Sequence, residues 1–502
     1  MKKQICSDMK KILFLLIVSI VANIFLNAQQ PWQQFSDIST KEISGNFKSP
    51  PSEYGMILWW GWDGPMTDTV IKRDLDRIKA MGFRGVMVEA GYGMTAKYLS
   101  PEWFALVKIA VGEAKTRGMR VWIEDEGKYP SGFAGGKFSN ERPDLKMQGL
   151  GVDAIWAQIW MDHVADYAKM ASSASHLYGR PRSFTESFAA FTHRPSVPQA
   201  KWVLDYQLVR GINSVQIMFM SASTARTSPV AAPVNTSAGT PALVARRTSF
   251  FMSDTFPPIA GYINRATYLL SQGRPASRIG VYFPTSSMMY GDNESNTSTL
   301  EISRQLMEQQ QDFDFIDEQS LTSILNIGKG SMTNLSGQLY EAIIVPSVSV
   351  ISKTSLLKLQ QFASSGGKVI FVGNLPALAT DINFLKAVKP DDPGWAKQEP
   401  SGKITQGILN FLPAPDVKID KSCPDIKYLH RKLKNAELYF LFNEGKEKQS
   451  LQVTLSGKGK PQVWDAMTGQ VNKLHKIVYE KDAISVPLAF EPYETKFIII
   501  SK

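Results

Sequence analysis

The segment 119–136, MRVWIEDEGKYPSGFAGG, joins a hydrophobic run to three consecutive acids and a tail rich in glycine. The run 119–123 is typical of a buried strand, and Glu124, Asp125 and Glu126 follow it directly. In α/β barrels the chemistry takes place at the C-terminal ends of the strands. Adjacent carboxylates repel one another, so we expect them to serve catalysis, metal binding or recognition of a polar ligand. A solvated acidic turn is the alternative.

Two strand–helix units of the same kind precede this segment. Residues 56–60 predict a buried strand that leads to Asp63, and residues 85–89 predict a second strand that ends in Glu89. Apolar residues at helical spacing follow each strand, with Ser100 as the N-cap of the second helix. Repeated units whose strands end in polar residues indicate a parallel α/β domain.

The alternation continues less regularly after residue 150. Short strands are predicted at 152–156 and 214–220, and helices at 162–177 and 197–210, on either side of a strand around Glu186. With the first three strands, these make about six strands within roughly 165 residues, whereas an eight-stranded barrel needs about 250. The sequence therefore predicts either an incomplete (β/α)8 TIM-type barrel or an open sheet.

Glu186 is the sharpest single candidate for a functional carboxylate. Its strand, FTESF at 184–188, has a pattern that makes a surface location unexpected. An unpaired buried glutamate is costly, so we expect a catalytic role or an ion pair with Arg180 or Arg182. His176 stands late in the preceding helix, where it either orients a substrate hydroxyl or, more commonly, serves as a structural partner.

Composition divides the rest of the chain. Residues 221–250 are rich in Ser, Thr, Ala and Pro, which is typical of a long loop or linker. Residues 255–400 return to alternating helices and strands and predict an amidotransferase-like (flavodoxin-like) α/β domain without a reactive cysteine. Residues 401–502 alternate as β-strands do and predict a C-terminal β-sandwich. The barrel-type domain is assigned to residues 45–225.

The N-terminus predicts export. Four lysines precede an apolar run at 12–26, so residues 1–28 are typical of a secretory signal peptide with cleavage after Ala28. The run is short for a membrane-spanning helix. The mature chain would retain Cys423 alone and form no internal disulfide, which suits a secreted or periplasmic bacterial protein.

The residues themselves predict no nucleic acid, metal or cofactor. The net charge is +10, but the basic residues are dispersed and form no long run. The motifs HExxH and CxxC, a Walker motif and a complete dinucleotide fingerprint are absent from the sequence. Residues 292–296, DNESN, resemble a calcium loop in composition only, and a solvated turn is the better interpretation.

Several stretches resemble exported bacterial glycosidases related to glycoside hydrolase family 106, the α-L-rhamnosidases. The resemblance covers most of residues 50–502. The matching stretches are WWGWDGPMT (59–67), GFRGVMVEAGYG (82–93), SPEWFALVKIAVGEAKTRGMRVWIEDEGKYPSGFAGG (100–136), ASSASHLYGRPRSFTESFAAF (171–191), AKWVLDYQLVRGIN (200–213) and YLLSQGRPASRIGVYFPTSSM (268–288).

The resemblance implies a glycosidase barrel that cleaves side chains of a plant or bacterial polysaccharide with paired carboxylates. Glu186 matches the family's late-strand glutamate and would be base or nucleophile, and Glu124 or Glu126 is the best remaining candidate for the acid. The residues expected to bind the sugar are Trp59, Trp60, Asp63, Glu89, Trp122 and His176. The expected partner is an oligo- or polysaccharide, with no nucleic acid and no membrane after signal cleavage. Calcium is implied by the family resemblance only.

The chain also departs from the family after residue 150. In relatives a large insert and the middle barrel strands follow, and one of those strands supplies a catalytic acid. Here VDAIWAQIW (152–160) follows almost at once, so the chain is internally shortened, by evolution or by an assembly error. The strand count leads to the same conclusion. Since the middle-strand acid has no counterpart, a non-catalytic carbohydrate-binding remnant is the alternative to an active enzyme.

Overall fold

The computed structural model describes residues 34–91, 93–124, 127, 164–188, 195–221, 255–381 and 386–502. Several predictions lie outside the described residues: the signal peptide, the strand at 152–156, most of the loop at 221–250, and the carboxylates of Asp125 and Glu126. Within the described part of the chain, no helix is both long enough and apolar enough to cross a membrane.

The first sheet has five parallel strands in the order β3-β2-β1-β5-β4. The strands are β1 (Ile57–Gly61), β2 (Gly85–Glu89), β3 (Arg120–Ile123), β4 (Phe184–Ser187) and β5 (Ser214–Ser221). The first strand along the chain is paired with the last, as happens where a parallel barrel closes. The described strands therefore form an arc whose two edges are β3 and β4.

Helices cover one face of this arc. Their bounds are Thr40–Phe47, Asp68–Ala80, Pro101–Thr116, Val164–Leu177, Val197–Leu208 and Pro257–Leu270. Thr67 and Ser100 cap two of them by accepting a hydrogen bond from a backbone N–H in the first turn, and Ser100 is the N-cap that the sequence predicts. The strand residues that pack in the core against these helices are Leu58, Trp60, Val86, Val88, Val215 and Ile217.

The second sheet is also parallel. If its strands are numbered 1 to 5 along the chain, they lie side by side in the order 2-1-3-4-5, which is the order of flavodoxin-like domains. In chain order they are Ile279–Phe283, Phe313–Asp317, Ala342–Val345, Lys368–Val372 and Lys397–Glu399. Its helices are Thr285–Met289, Asn293–Glu308, Lys353–Ser364 and Gln406–Phe411. Two small sheets flank it, formed by Asn326–Ile327, Met332–Thr333 and Leu339–Tyr340, and by Val350–Ser352, Leu378–Thr380 and Ala387–Val388.

Two predictions for this second part are corrected. The segment predicted as a solvated turn at 292–296 is the start of a helix, because the Asp292 side chain accepts a hydrogen bond from the Ser295 N–H and caps it. The predicted boundary at residue 400 falls too early. Ile408 and Leu412 pack into the core of the parallel sheet, so the α/β layer extends beyond it.

The C-terminal part consists of two antiparallel sheets. The six-stranded sheet contains Gln470–Lys473, Lys460–Asp465, Thr495–Ser501, Ala436–Asn443, Ile426–Lys432 and Arg274–Pro275. The four-stranded sheet contains Val417–Ile419, Gln449–Ser456, Ala483–Phe490 and Val478–Tyr479. Tyr439 and Leu441 face the core between the sheets, whereas Leu438 and Phe440 pack with the helix-facing core of the first sheet. Because successive side chains of the strand Ala436–Asn443 point to opposite faces, this strand packs both inside the sandwich and against the first part of the chain.

Candidate active site

Strand pairing determines which side chains share a face of the first sheet, because residues paired in register between parallel strands point to the same side. The face opposite the helices, which we call the inner face, carries Ile57, Trp59, Gly85, Met87, Glu89, Arg120, Trp122, Glu186 and Gln216. Ile57 and Trp59 are buried without belonging to the helix-facing core. Acidic and aromatic side chains from four different strands thus meet on one surface.

Glu89 stands at the C-terminal end of β2 and is 7% exposed. The indole Nε1 of Trp59, on the neighbouring strand, donates a hydrogen bond of 2.9 Å to Glu89 Oε2. Burial raises the pKa of Glu89, the hydrogen bond from Trp59 offsets part of this rise, and the negative charge of Asp63 adds to it. The environment therefore favours a protonated carboxylic acid at higher pH than for an exposed glutamate.

The loops after β1 and β2 fit together and bring Asp63 to Glu89. Asp63 Oδ1 accepts a hydrogen bond of 3.1 Å from the backbone N–H of Gly93, and the Trp62 N–H donates to the Glu89 carbonyl at 2.9 Å. A Cβ atom on Gly91 would lie 2.3 Å from Asp63 Oδ1. Glycine is thus required at position 91 for this close approach.

Strand β3 differs from its prediction. The sequence predicts a buried strand, but Trp122 is 40% exposed and Ile123 is 49% exposed. The reason is that β3 is an edge of the described arc and packs against a neighbouring strand on one side only. Glu124 follows it half-buried, with its backbone N–H donating to the Val88 carbonyl at 3.0 Å.

Glu186 is exposed on β4, so the prediction against a surface location is wrong. Strand β4 is the other edge of the arc, and Glu186 pairs in register with Gln216 on β5. The predicted ion pair is not formed, because the Arg182 guanidinium lies over the Tyr54 ring at 5.1 Å. Partial burial raises the pKa of Glu186, but the accessible carboxyl keeps much of its hydration, which we expect to limit the effect.

In an eight-stranded barrel, the register would bring Glu89 and Glu186 to comparable heights on the inner face. Glu186 is level with Ile57 through Gln216, and Glu89 is level with Gly61. The two carboxylates are therefore offset by four residues of β1 over three strand steps. A barrel of eight strands with shear number eight is staggered by about one residue per strand, so this offset nearly compensates for the tilt of the strands.

Two residues predicted for the sugar site lie elsewhere. Trp60 is fully buried on the helix-facing side, where it forms an edge-to-face contact with Trp62, because side chains alternate along β1. His176 is buried between the first and second parts of the chain, where its Nδ1 is hydrogen-bonded to Asp314 Oδ1 at 2.8 Å. His176 therefore acts as a structural partner, and neither residue reaches the inner face.

Gln216 was not singled out from the sequence. It is 3% exposed, and its Nε2 donates to the sulfur of Met87 at 3.0 Å. The signal that could have found it is the alternation with Val215 and Ile217, which face the helices and leave Gln216 on the inner face. A buried amide beside Glu186 supplies a polar group suited to a hydroxylated ligand.

Metal binding finds no support in the described ranges. They contain no group of three or more His, Cys, Asp or Glu side chains that could hold an ion. The calcium ion that the family resemblance implies therefore remains a prediction, and the chemistry below uses the side chains alone.

Comparison with known proteins identifies similar chains. The family model described as alpha-L-rhamnosidase, glycoside hydrolase family 106, matches residues 112–481. A protein of Formosa agariphila named "Putative beta-glucuronidase" is 25% identical over 253 residues, which cover 47% of this chain and 20% of that protein. The solved rhamnosidase from Novosphingobium sp. PP1Y superimposes with a TM-score of 0.51 at 22% identity, over 67% of this chain and 33% of that one. The chain thus spans a third or less of the length of these relatives.

Proposed function

The chain belongs to glycoside hydrolase family 106, and we propose that it is an exported glycosidase that cleaves α-L-rhamnosyl side chains from a plant or bacterial oligo- or polysaccharide. The observation that carries the proposal is the inner face of the first sheet. There Glu89 and Glu186 accompany the aromatic rings of Trp59 and Trp122. Aromatic faces pack against the C–H faces of sugar rings, and carboxyl groups perform the hydrolysis.

For the architecture, we propose an incomplete (β/α)8 barrel, followed by an amidotransferase-like domain and a β-sandwich. Pairing of β1 with the last strand β5, and not with β4 as in a doubly wound sheet of order 3-2-1-4-5, supports the barrel. The flavodoxin-like strand order supports the second domain. The exposed side chains of β3 and β4 lie at the two edges of the sheet formed by the described strands.

In the proposed mechanism, two carboxyl groups divide the work. Glu186, accessible on β4, acts on the anomeric carbon as a nucleophile or on water as a base. A second carboxyl, in its protonated form, gives its proton to the leaving oxygen. Glu124 and Glu126 are the candidates for this acid from the sequence, and Glu124 directly follows β3, with its backbone N–H bonded to the Val88 carbonyl.

The proposal includes a secreted or periplasmic location after cleavage at Ala28. It is supported by the lysines and the apolar run at 12–26. The alternative is a non-catalytic sugar-binding remnant, and it rests on the absence from the sequence of a counterpart to the family's middle-strand acid. A remnant would retain Trp59 and Trp122 as a binding surface and lack turnover.

The test is hydrolysis of 4-nitrophenyl α-L-rhamnoside by the full chain and by Glu186→Gln. We expect kcat/KM to fall by at least about 100-fold in the variant, because the amide can act neither as base nor as nucleophile. Glu102→Gln, on an exposed helix of the same part, is the matched control and should keep the parent activity.

Two results would contradict the proposal. The parent could bind rhamnose without cleaving any rhamnoside, which would favour the remnant. It could instead cleave a 4-nitrophenyl β-glucuronide and no rhamnoside, which would retain the glycosidase class and replace the substrate.

A further inference from the structure

We propose that Glu89 is the catalytic acid that protonates the leaving oxygen, in the role that a middle-strand carboxyl performs in longer relatives. The inference rests on the proposed function and deepens it. Glu89 stands at the C-terminal end of β2, on the same inner face as Glu186, with a register offset that would bring the two residues to comparable heights in an eight-stranded barrel.

The surroundings of Glu89 suit a proton donor. Glu89 is 7% exposed. The indole Nε1–H of Trp59 donates a hydrogen bond of 2.9 Å to Glu89 Oε2 and so fixes the orientation of the carboxyl. Within the described residues this is the only hydrogen bond to the carboxyl, so Oε1 is free to carry the proton and present it to a ligand on the inner face. A carboxyl in a largely apolar setting whose orientation is fixed by an indole is poised for proton transfer.

A negative charge near Glu89 favours its neutral form. Asp63 lies beside it on the loop after β1, and its negative charge disfavours ionisation of Glu89. Glu124 ends the neighbouring strand β3, and Glu186 stands across the inner face on β4. Glu89 is the most buried of these carboxyls, and burial favours its neutral form.

Glu124 is the less suitable donor. It is half-buried at the end of an edge strand whose Trp122 and Ile123 are exposed, so water reaches its surroundings. A proton donor is favoured by burial, and Glu124 has less of it than Glu89. Glu89 and Glu124 stand at the ends of neighbouring strands, and their difference in burial favours Glu89 as the proton donor.

The proposed step is balanced as follows. The proton on Glu89 Oε1 passes to the glycosidic oxygen while the bond from this oxygen to the anomeric carbon breaks, and the bonding electrons stay with the oxygen. One water is consumed: its hydroxyl ends on the anomeric carbon. Its proton replaces the one that Glu89 gave, either directly or through Glu186 and solvent.

The experiment compares Glu89→Gln with the parent on two α-L-rhamnosides, one with the good leaving group 2,4-dinitrophenol and one with methanol. Loss of a general acid matters when the leaving group needs a proton. We therefore expect a loss of about 100-fold or more in kcat/KM for the methyl rhamnoside and of less than about 10-fold for the dinitrophenyl rhamnoside. Glu102→Gln is the exposed control, and thermal unfolding confirms that each variant is folded.

A second variant tests the same role without removing the acid. Asp63→Asn deletes the charge that disfavours ionisation of Glu89, so the basic limb of the pH–rate profile should move to lower pH.

The inference is overturned if Glu89→Gln lowers kcat/KM equally for both substrates, if Glu124→Gln shows the leaving-group dependence instead, or if Asp63→Asn leaves the basic limb in place. A parent that cleaves neither rhamnoside overturns the proposed function itself, and the role of Glu89 falls with it.

Discussion

Trp59 and Trp60 show how one residue step along a strand changes the role of a side chain. Both are buried, but Trp59 faces the inner surface and bonds Glu89, whereas Trp60 packs against the helices. The sequence predicts a strand with two adjacent tryptophans, and strand alternation requires them to face opposite sides. It does not say which side the helices cover, because that depends on how β1 pairs with β2 and β5.

Replacing Trp59 by Phe tests the hydrogen bond to Glu89. The indole N–H stabilises the ionised carboxylate and so lowers the pKa of Glu89, which burial raises. Without it, the pKa rises further, and we expect the basic limb of the pH–rate profile to move to higher pH. Trp202→Phe removes an indole N–H that donates to the Glu444 carbonyl, away from the inner face, and should not move this limb. A limb that stays in place in Trp59→Phe would contradict the assignment.

The helix Val164–Leu177 links the first sheet to the second. Lys169, Ser173 and His176 lie along one side of it and contact the edge strand Phe313–Asp317. Lys169 pairs with Asp312 at 2.6 Å, and Ser173 Oγ accepts a hydrogen bond of 2.9 Å from the Phe315 N–H. The helix thus satisfies a backbone N–H on the open edge of the strand Phe313–Asp317, and it anchors the segment that leads into β4.

Asp314 is the centre of this contact. Burial alone would raise the pKa of Asp314, but the charge and hydrogen bond of His176, with further hydrogen bonds from Gln338 and Tyr340, hold it well below its usual range. Because the folded pKa is depressed, the stabilisation is present above the ordinary carboxyl pKa of about 4 and is lost as the pH falls below it.

We expect Asp314→Asn to lower the free energy of unfolding at pH 7 by about 1–3 kcal/mol, because the amide cannot make all the hydrogen bonds that the buried carboxylate makes with His176, Gln338 and Tyr340. The difference from the parent should shrink as the pH falls below about 4. Urea unfolding at several pH values measures both quantities. Glu491→Gln breaks the exposed pair with Lys448 and should change stability little. Equal effects of the two variants, or a difference that does not depend on pH, would disagree with this account.

At the scale of the elements, the sequence predicts regular segments well. The strand Gly85–Glu89 has the predicted bounds, and the helix Pro101–Thr116 has Ser100 as its predicted N-cap, because the cap and the apolar spacing are clear there. The exposure of Trp122 and Glu186 could not be predicted in this way. An edge strand and a central strand can share a composition, and their burial depends on the neighbours that pairing brings.

At the scale of the whole molecule, three sheets share connected cores. The six-stranded sheet of the sandwich packs Phe440 and Phe497 into the same core as the helices over β1. Buried Arg431 of that sheet donates to the backbone carbonyls of Gln272 and Gly273, just after the helix Pro257–Leu270. We expect these contacts to support the arc of the first sheet, which has only five strands in the described residues.

The central claim is that this arc brings Glu89 and Glu186 together as a catalytic pair. A crystal structure of the full chain with bound rhamnose measures it directly, through the distance between the two carboxyl groups. We predict a separation of about 5–10 Å, with the anomeric carbon between them, as in glycosidases that use paired carboxylates. A separation beyond about 15 Å, or a sugar bound away from the inner face, would contradict the account.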